Sequence, residues 1–125
     1  MANPNIVNVT SILGESTYLT PSDTAANVLL ANATSSGKVY KINQIVAANV
    51  DGASAVNTTV AINTTAAGGG TSYPIVSTVS VPADASLIVA DKTTAIYLME
   101  NKSIVVTSGT ASKIAYTISY EVIES

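Results

Sequence analysis

Side chains near the C-terminus alternate strictly between the two faces of an extended chain. Ile114, Tyr116, Ile118, Tyr120 and Val122 share one parity, and the residues between them are Ala, Thr, Ser and Glu. A period of two is typical of a β-strand with one buried face. Val, Ile and Thr, whose branched side chains favour strands, make up 43 of the 125 residues. No segment keeps a helical period over three turns, so the sequence predicts an all-β protein.

The same pattern recurs along the chain and predicts about eight or nine short strands. They are expected at residues 6–13, 27–31, 40–50, 56–63, 75–81, 86–90, 95–99, 103–107 and 114–122. In the third of these strands, Tyr40 and Ile42 are expected to share a face with Val46, Ala48 and Val50. Strand onsets about every 8 to 12 residues are typical of a single-domain antiparallel β-sandwich, of jelly-roll or Greek-key type.

Turn-forming residues separate the predicted strands. Asp51-Gly52 favours one tight turn, and Pro82 begins another. Residues 66–72 contain Gly68, Gly69 and Gly70, and we expect them to form a mobile loop. A phosphate-binding loop would need a Lys after its last Gly and a helix behind it. Here no Lys follows Gly70, and the next segment is predicted to be a strand.

The first thirteen residues differ from the rest in composition. Asn3, Pro4 and Asn5 are polar or disfavour regular structure, whereas residues 6–12 are rich in branched apolar side chains. Because strand edges pair readily, residues 1–13 are expected to be either the first strand of the domain or an arm that adds to a neighbouring subunit's sheet. Residues 14–125 are expected to form the β-sandwich domain.

The scarcity of charged and catalytic residue types excludes several functions. The chain has five Lys, eight Asp or Glu, no Arg, no His and no Cys, with a net charge of −3. Without His and Cys, the usual general base, metal ligands and thiolate nucleophile are missing, so we expect no enzyme, metal site or cofactor. Five scattered Lys also argue against binding to nucleic acid or to an anionic membrane surface.

Residues 52–83 carry no charge at all. They contain Asn, Gly, Pro and many Thr, so there is no run of about 18 apolar residues and no transmembrane helix is expected. The N-terminus lacks the basic and apolar regions of a signal peptide. The carboxylates fall mainly in predicted turns, where Asp accepts local hydrogen bonds, and we expect them to act there rather than in catalysis.

A surface made mostly of Thr, Ser, Asn and Ala favours association with other proteins. Few ions lose their hydration when such a surface is covered, and interface cores are depleted in charge. The composition therefore indicates a subunit that assembles. The candidate contact residues lie in the N-terminal segment and in the glycine-rich loop: Asn3, Pro4, Asn5, Ile6, Val7, Val9, Ile12, Gly68, Gly69 and Gly70.

Three segments carry a resemblance to a known family. They are ANPNIVNVTSI, SSGKVYKINQIVAANVDG, and STVSVPADASLIVADKTTAIYLMENKSIVVTS followed by ISYEVIES. Over most of its length the chain resembles the small virion structural proteins of marine tailed phages, of the cyanophage type. Where that family would carry an acidic Glu-Gly-Asp turn, this chain has Glu100-Asn101-Lys102.

The resemblance implies a non-enzymatic virion protein made in the host cytoplasm, in particular a head decoration or cement protein on the outer capsid. It implies contacts with the major capsid protein or other virion proteins, and a homo-oligomer, with a trimer suited to three-fold lattice positions. One alternative is a tail, neck or fibre-associated subunit. Another is a carbohydrate-binding module that contacts the host surface through side chains such as Tyr73 or Tyr97.

Overall fold

The computed structural model describes residues 11–91, 93–94 and 96–124. Within these residues the chain forms nine strands and no helix, which confirms the all-β prediction. The strands are β1 (Ser11–Leu19), β2 (Asn27–Asn32), β3 (Lys38–Asn49), β4 (Val56–Asn63), β5 (Ser72–Val81), β6 (Ser86–Ala90), β7 (Ile96–Leu98), β8 (Lys102–Ser108) and β9 (Ile114–Glu124).

The strand pairs are nested as in one long hairpin. β4 pairs with β5 at the tip of the hairpin, β3 with β6 and β7, β2 with β8, and β1 with β9, all antiparallel. Two further pairs, β3 with β9 and β4 with β8, fold this hairpin onto itself so that its strands form two sheets. The result is one sheet of order β1-β9-β3-β6, with β7 also beside β3, and a second sheet of order β2-β8-β4-β5. This is the jelly-roll arrangement, in agreement with the predicted fold class.

The core lies between the two sheets and contains the alternating residues of the predicted strands. Ile114 and Tyr116 of β9 are fully buried in one cluster with Val60 of β4. The Tyr116 hydroxyl reaches the opposite sheet, where it hydrogen-bonds the Thr58 hydroxyl and donates to the carbonyl oxygen of Thr107 at 3.0 Å. Burial raises the pKa of Tyr116, so the phenol keeps its proton and remains a donor.

β3 does not face the core as the sequence predicts. Its register against β9 shifts between Ile42 and Gln44, where an extra residue forms a β-bulge. A bulge of one residue exchanges the side chains that point to the two faces. Ile45 and Ala47 are therefore buried, and Val46 lies on the outer face. The prediction that Val46, and the residues that alternate with it, share a face with Ile42 is wrong.

β1 extends further than its predicted end at residue 13. Residues 11–19 pair with β9 in one continuous register. Residues 14–19 are mostly polar, so hydrophobic alternation gives no signal there, and the backbone of β9 decides the pairing. Residues 11–13 of the N-terminal segment are the start of β1, while residues 1–10 lie outside the described part of the chain.

Three strands end on a buried asparagine. Asn32 is the last residue of β2, Asn49 of β3 and Asn63 of β4, and each is at most 3% exposed. A side-chain amide carries two N–H donors and one acceptor oxygen, so it can hydrogen-bond backbone groups that the sheets leave unpaired. Asn32, for example, donates to the carbonyl oxygens of Lys38 and Leu98 at 2.9 and 3.0 Å.

Asn49 connects two loops at one end of the sandwich. Its Nδ2 group donates to the carbonyl oxygens of Ser54, Val81 and Pro82 at 3.0, 2.9 and 3.2 Å. Its Oδ1 atom accepts the N–H of Asp51 at 2.8 Å. The side chain thus joins the loop between β3 and β4 to the turn between β5 and β6.

Removing this amide is expected to destabilise the fold. Asn49→Ala leaves buried carbonyl oxygens without donors, so we expect the free energy of unfolding to fall by about 2–3 kcal/mol, as measured by urea titration followed by circular dichroism. The matched control is Asn57→Ala, at an exposed position of β4, which is expected to change stability by less than about 0.5 kcal/mol. Equal losses in the two variants would contradict the assigned role of Asn49.

Candidate protein-contact surfaces

The predicted contact residues fall into two groups, of which the structure describes one and a part of the other. Ile12 lies in β1 opposite Ile123 and is 57% exposed. The glycine-rich loop is described in full, as residues 64–71 between β4 and β5. The remaining candidates lie outside the described residues: Asn3, Pro4, Asn5, Ile6, Val7 and Val9.

The glycine-rich loop folds back over the outer face of the second sheet. Gly68 adopts a φ of 83°, and a Cβ atom built on it would lie 2.8 Å from Val28 Cγ2 and 3.3 Å from Val105 Cγ1. Only a residue without a side chain can come this close in a left-handed conformation. Val105 and its neighbour Ala61 are buried on this outer face. Gly68 is therefore held by packing against the sheet.

Asn63 holds the loop by hydrogen bonds. Its Nδ2 group donates to the carbonyl oxygens of Gly68 and Gly70 at 3.1 and 3.2 Å. Its Oδ1 atom accepts the N–H groups of Thr65 and Gly70, both at 3.0 Å. Ser103 of β8 adds a bond to the carbonyl oxygen of Thr65 at 2.7 Å. A buried amide that the sequence pattern does not reveal therefore ties the loop to the sheet.

Three loops meet at this end of the sandwich. The Asn101 Oδ1 atom accepts the Thr34 hydroxyl at 3.1 Å and the Ala66 N–H at 3.2 Å, and the Glu100 carboxylate accepts the Gly37 N–H at 2.6 Å. Asn101 has a φ of 56°, a left-handed conformation that Asn tolerates better than most residues. β1 begins at the same end, since Ser11 and Lys38 both pair with Glu124. The structure therefore brings Ile12 and the glycine-rich loop to one end of the sandwich.

The outer face of the first sheet carries an uncharged row that the sequence analysis missed. Tyr18 of β1 pairs with Thr117, Thr117 with Val46, and Val46 with Ile88, so the four side chains cross the sheet from edge to edge. Tyr18 is 81% exposed and Ile88 is 59% exposed. Tyr18 lies outside the predicted strands, and the bulge turns the Val46 side chain to the face opposite the predicted one. Sequence periodicity therefore could not align them.

Two shallow depressions lie beside this row, at the bulge in β3. The larger, about 560 Å³, is lined by Asn43, Gln44, Asp91, Thr93 and Ser119. Hydrogen bonds from Thr93 lower the pKa of the exposed Asp91 carboxyl. The smaller, about 280 Å³, is lined by residues of β1, β3 and β9, namely Gly14, Glu15, Ser16, Asn43, Ser119 and Tyr120.

The described residues contain no grouping of three His, Cys, Asp or Glu side chains suited to a metal ion. In the same part of the chain, no helix has the length and apolar character needed to cross a membrane. Charge is also sparse on the strands. Lys102 is the one charged residue in β2, β4, β5 and β8. The described surfaces therefore present hydroxyl, amide and apolar groups in preference to ions.

No protein-family model matches the chain, and no curated protein does. The structure is similar to a chain of the IBDV viral particle, with a TM-score of 0.50 and 6% identity over 93% of this chain and 32% of that chain. The two chains share a fold. This protein spans about a third of the length of the IBDV chain. It is also similar to a chain in the capsid of Helicobacter pylori bacteriophage KHP30, with a TM-score of 0.49 and 9% identity over 93% of this chain and 90% of that one.

Two neighbouring glycines of the loop are expected to differ in how much an alanine substitution lowers stability, because Gly68 is packed against the sheet and Gly69 is not. Gly68→Ala forces a side chain into a left-handed conformation and against Val28, so we expect a loss of about 1–3 kcal/mol in the free energy of unfolding. Gly69→Ala is the control, because a Cβ atom there meets nothing within 4 Å. Urea unfolding of both variants checks the difference, and an unaffected Gly68→Ala protein would contradict the described packing.

Proposed function

We propose that this protein is a non-enzymatic structural component of a virus particle that binds the outer surface of a capsid as a decoration or cement protein. The observation that carries the proposal is the nested strand order of the two sheets. That order defines a jelly roll, a fold used repeatedly by viral capsid domains. The fold shared with a chain of the IBDV viral particle supports the same assignment.

The surface supports a role in assembly. Four of the nine described strands together carry one charged residue, Lys102, and the row from Tyr18 to Ile88 carries none. Burying such surfaces removes few ions from water, which keeps the desolvation cost of an interface low. The hydrogen bonds of Asn63 and Asn101 order the loops before any partner arrives, which reduces the entropy lost on binding.

The proposed partners are the major capsid protein or other virion proteins of a tailed phage of the cyanophage type, together with further copies of this chain. The proposed site is the end of the sandwich that carries Ile12 and residues 68–70, extended by the N-terminal segment. In this proposal residues 1–13 contribute either a first strand or an arm that adds to a neighbouring sheet. The protein would be made in the host cytoplasm and carried in the virion.

Copy number in purified virions tests this proposal. A decoration protein on a closed lattice is expected at roughly hundreds of copies per particle, which quantitative mass spectrometry against an isotope-labelled standard measures. The major capsid protein of the same particles serves as the internal reference. A count in the tens would favour a tail, neck or fibre subunit instead, and absence from washed particles would contradict a virion role.

A second candidate function is carbohydrate binding, which the larger depression favours. Jelly rolls also form lectin domains. Gln44, Thr93 and Ser119 offer the amide and hydroxyl groups that pair with sugar hydroxyls. Tyr97 lies on the same sheet, opposite Lys41, and is 41% exposed.

For this candidate we expect saturable binding of a host polysaccharide in calorimetric titration. Tyr97→Ala is expected to weaken that binding by about tenfold or more, because an aromatic face would be lost. Tyr73→Ala is the control, since Tyr73 is exposed on β5 of the other sheet. Titrations without saturation would remove carbohydrate binding as a candidate.

A further inference from the structure

The four edges of the two sheets differ in how they are protected. β5 contains Pro74, two shifts of register and a left-handed residue, Thr78. β2 has six residues and a shift of register, and Val28 within it lies against the glycine-rich loop. The remaining edge of the first sheet is divided between β6 and β7. Prolines, bulges, short strands and covering loops are the devices that prevent sheet edges from pairing.

Within the described part of the chain, β1 has none of these devices. Its nine residues contain no proline, keep one register with β9 and carry a single charge, on Glu15. Three of the large apolar side chains exposed in the described part of the chain, Ile12, Leu13 and Tyr18, lie on this strand. An unprotected edge with exposed apolar residues is a surface on which another strand can add.

Two features of β1 are complementary to each other. Tyr18 is 81% exposed, so its ring has little contact within its own subunit. Gly14 lies on the same face and lines the depression of about 280 Å³, and a Cβ atom added to it would meet no atom within 4 Å. An aromatic side chain placed beside a strand glycine on a neighbouring strand covers the exposed backbone.

We infer that two copies of this protein pair through their β1 edges, antiparallel about a two-fold axis at Ser16. In this register Tyr18 of each copy lies opposite Gly14 of the other, and Leu13 lies opposite Leu19. Glu15 lies opposite Thr17, and the two Ser16 residues face each other. The first sheets of the two copies then form one continuous sheet.

Two alternative registers are less favourable. Residues that point outward in one strand must lie opposite residues that point outward in the other. The two-fold axis must therefore pass through a residue of β1 and not between two residues. Centring the axis on Glu15 would place two carboxylates opposite each other, a destabilising cross-strand pair. Centring it on Gly14 would place Leu13 opposite the Glu15 carboxylate. The axis at Ser16 avoids both of these pairings.

The pairing is isologous and closes after two copies, so it gives a dimer, not the trimer that the resemblance implies. Seven residues from each copy form a smaller contact than the standard interface of about 1,600 Å², so we expect a dissociation constant in the micromolar to millimolar range. This inference does not depend on the proposed virion role. A monomeric protein could still decorate a capsid, and a dimer could be absent from virions.

Sedimentation velocity of the full chain tests the inference. We expect a reversible monomer–dimer equilibrium, with the dissociation constant raised about tenfold or more by Tyr18→Ser or by Gly14→Val. Gly14→Val occupies the position of the partner's ring, and we expect the fold to be retained, because a Cβ atom at Gly14 meets nothing within 4 Å and valine favours strands. Tyr97→Ser, on the opposite edge of the same sheet, is the control and should leave dimerisation unchanged. A protein that stays monomeric up to about 1 mM would overturn the inference.

A single introduced thiol tests the register. The chain contains no Cys, so Ser16→Cys carries one thiol, which in this register meets its own copy across the axis. Directly opposed Cβ atoms lie about 4.5–5.5 Å apart, close enough for a disulfide after small adjustment. Under mild oxidation we expect covalent dimers from Ser16→Cys and few from Ser11→Cys, another exposed serine of β1. Equal cross-linking of the two variants would overturn the register.

Discussion

The architecture depends on the position of β9 between β1 and β3. β9 pairs with β3 over eleven residues and with β1 over nine, so the two ends of the described chain are adjacent in one sheet. With the first and last strands together, the remaining strands pair inside them as a nested hairpin. Tyr116 extends the influence of β9 to the other sheet, because its buried hydroxyl bonds to Thr58 and to the Thr107 carbonyl. A buried phenol without those partners would destabilise the core.

The ends of the sandwich are ordered by the same requirement for hydrogen-bond partners. Asn32, Asn49 and Asn63 each end a strand and supply donors and an acceptor to a following loop, so hydrogen bonds of buried amides hold these loops. One ion pair, between Lys38 and Glu124 at 3.5 Å, is seen among the described residues. Amide and hydroxyl hydrogen bonds order these loops without adding charge.

The jelly roll leaves four sheet edges, and the protein treats them unequally. Pro74 and Thr78 disrupt the edge at β5, whereas β1 keeps a regular backbone with Tyr18 and Leu13 exposed. Protection of three edges limits uncontrolled association, and the fourth remains available for a strand of matching register. The proposed dimer and the proposed contacts at the end of the sandwich are adjacent on β1, since Leu13 belongs to the first and Ile12 to the second.

Local patterns in the sequence determined the fold class, the alternation of β9 and β4, and turn residues such as Asp51, because these depend on neighbours in the chain. Only the tertiary structure decided the strand order, the bulge before Gln44, the strand at residues 14–19 and the packing of Gly68 against the second sheet. Sequence reasoning named Gly68 as a contact candidate but missed Gly14 and Tyr18. The pairing of β1 and the bulge in β3 depend on β9, which is distant in sequence. The position of Gly68 depends on Val28 and Val105, which are also distant. Pairing and close packing between distant segments leave no periodic signal in the chain.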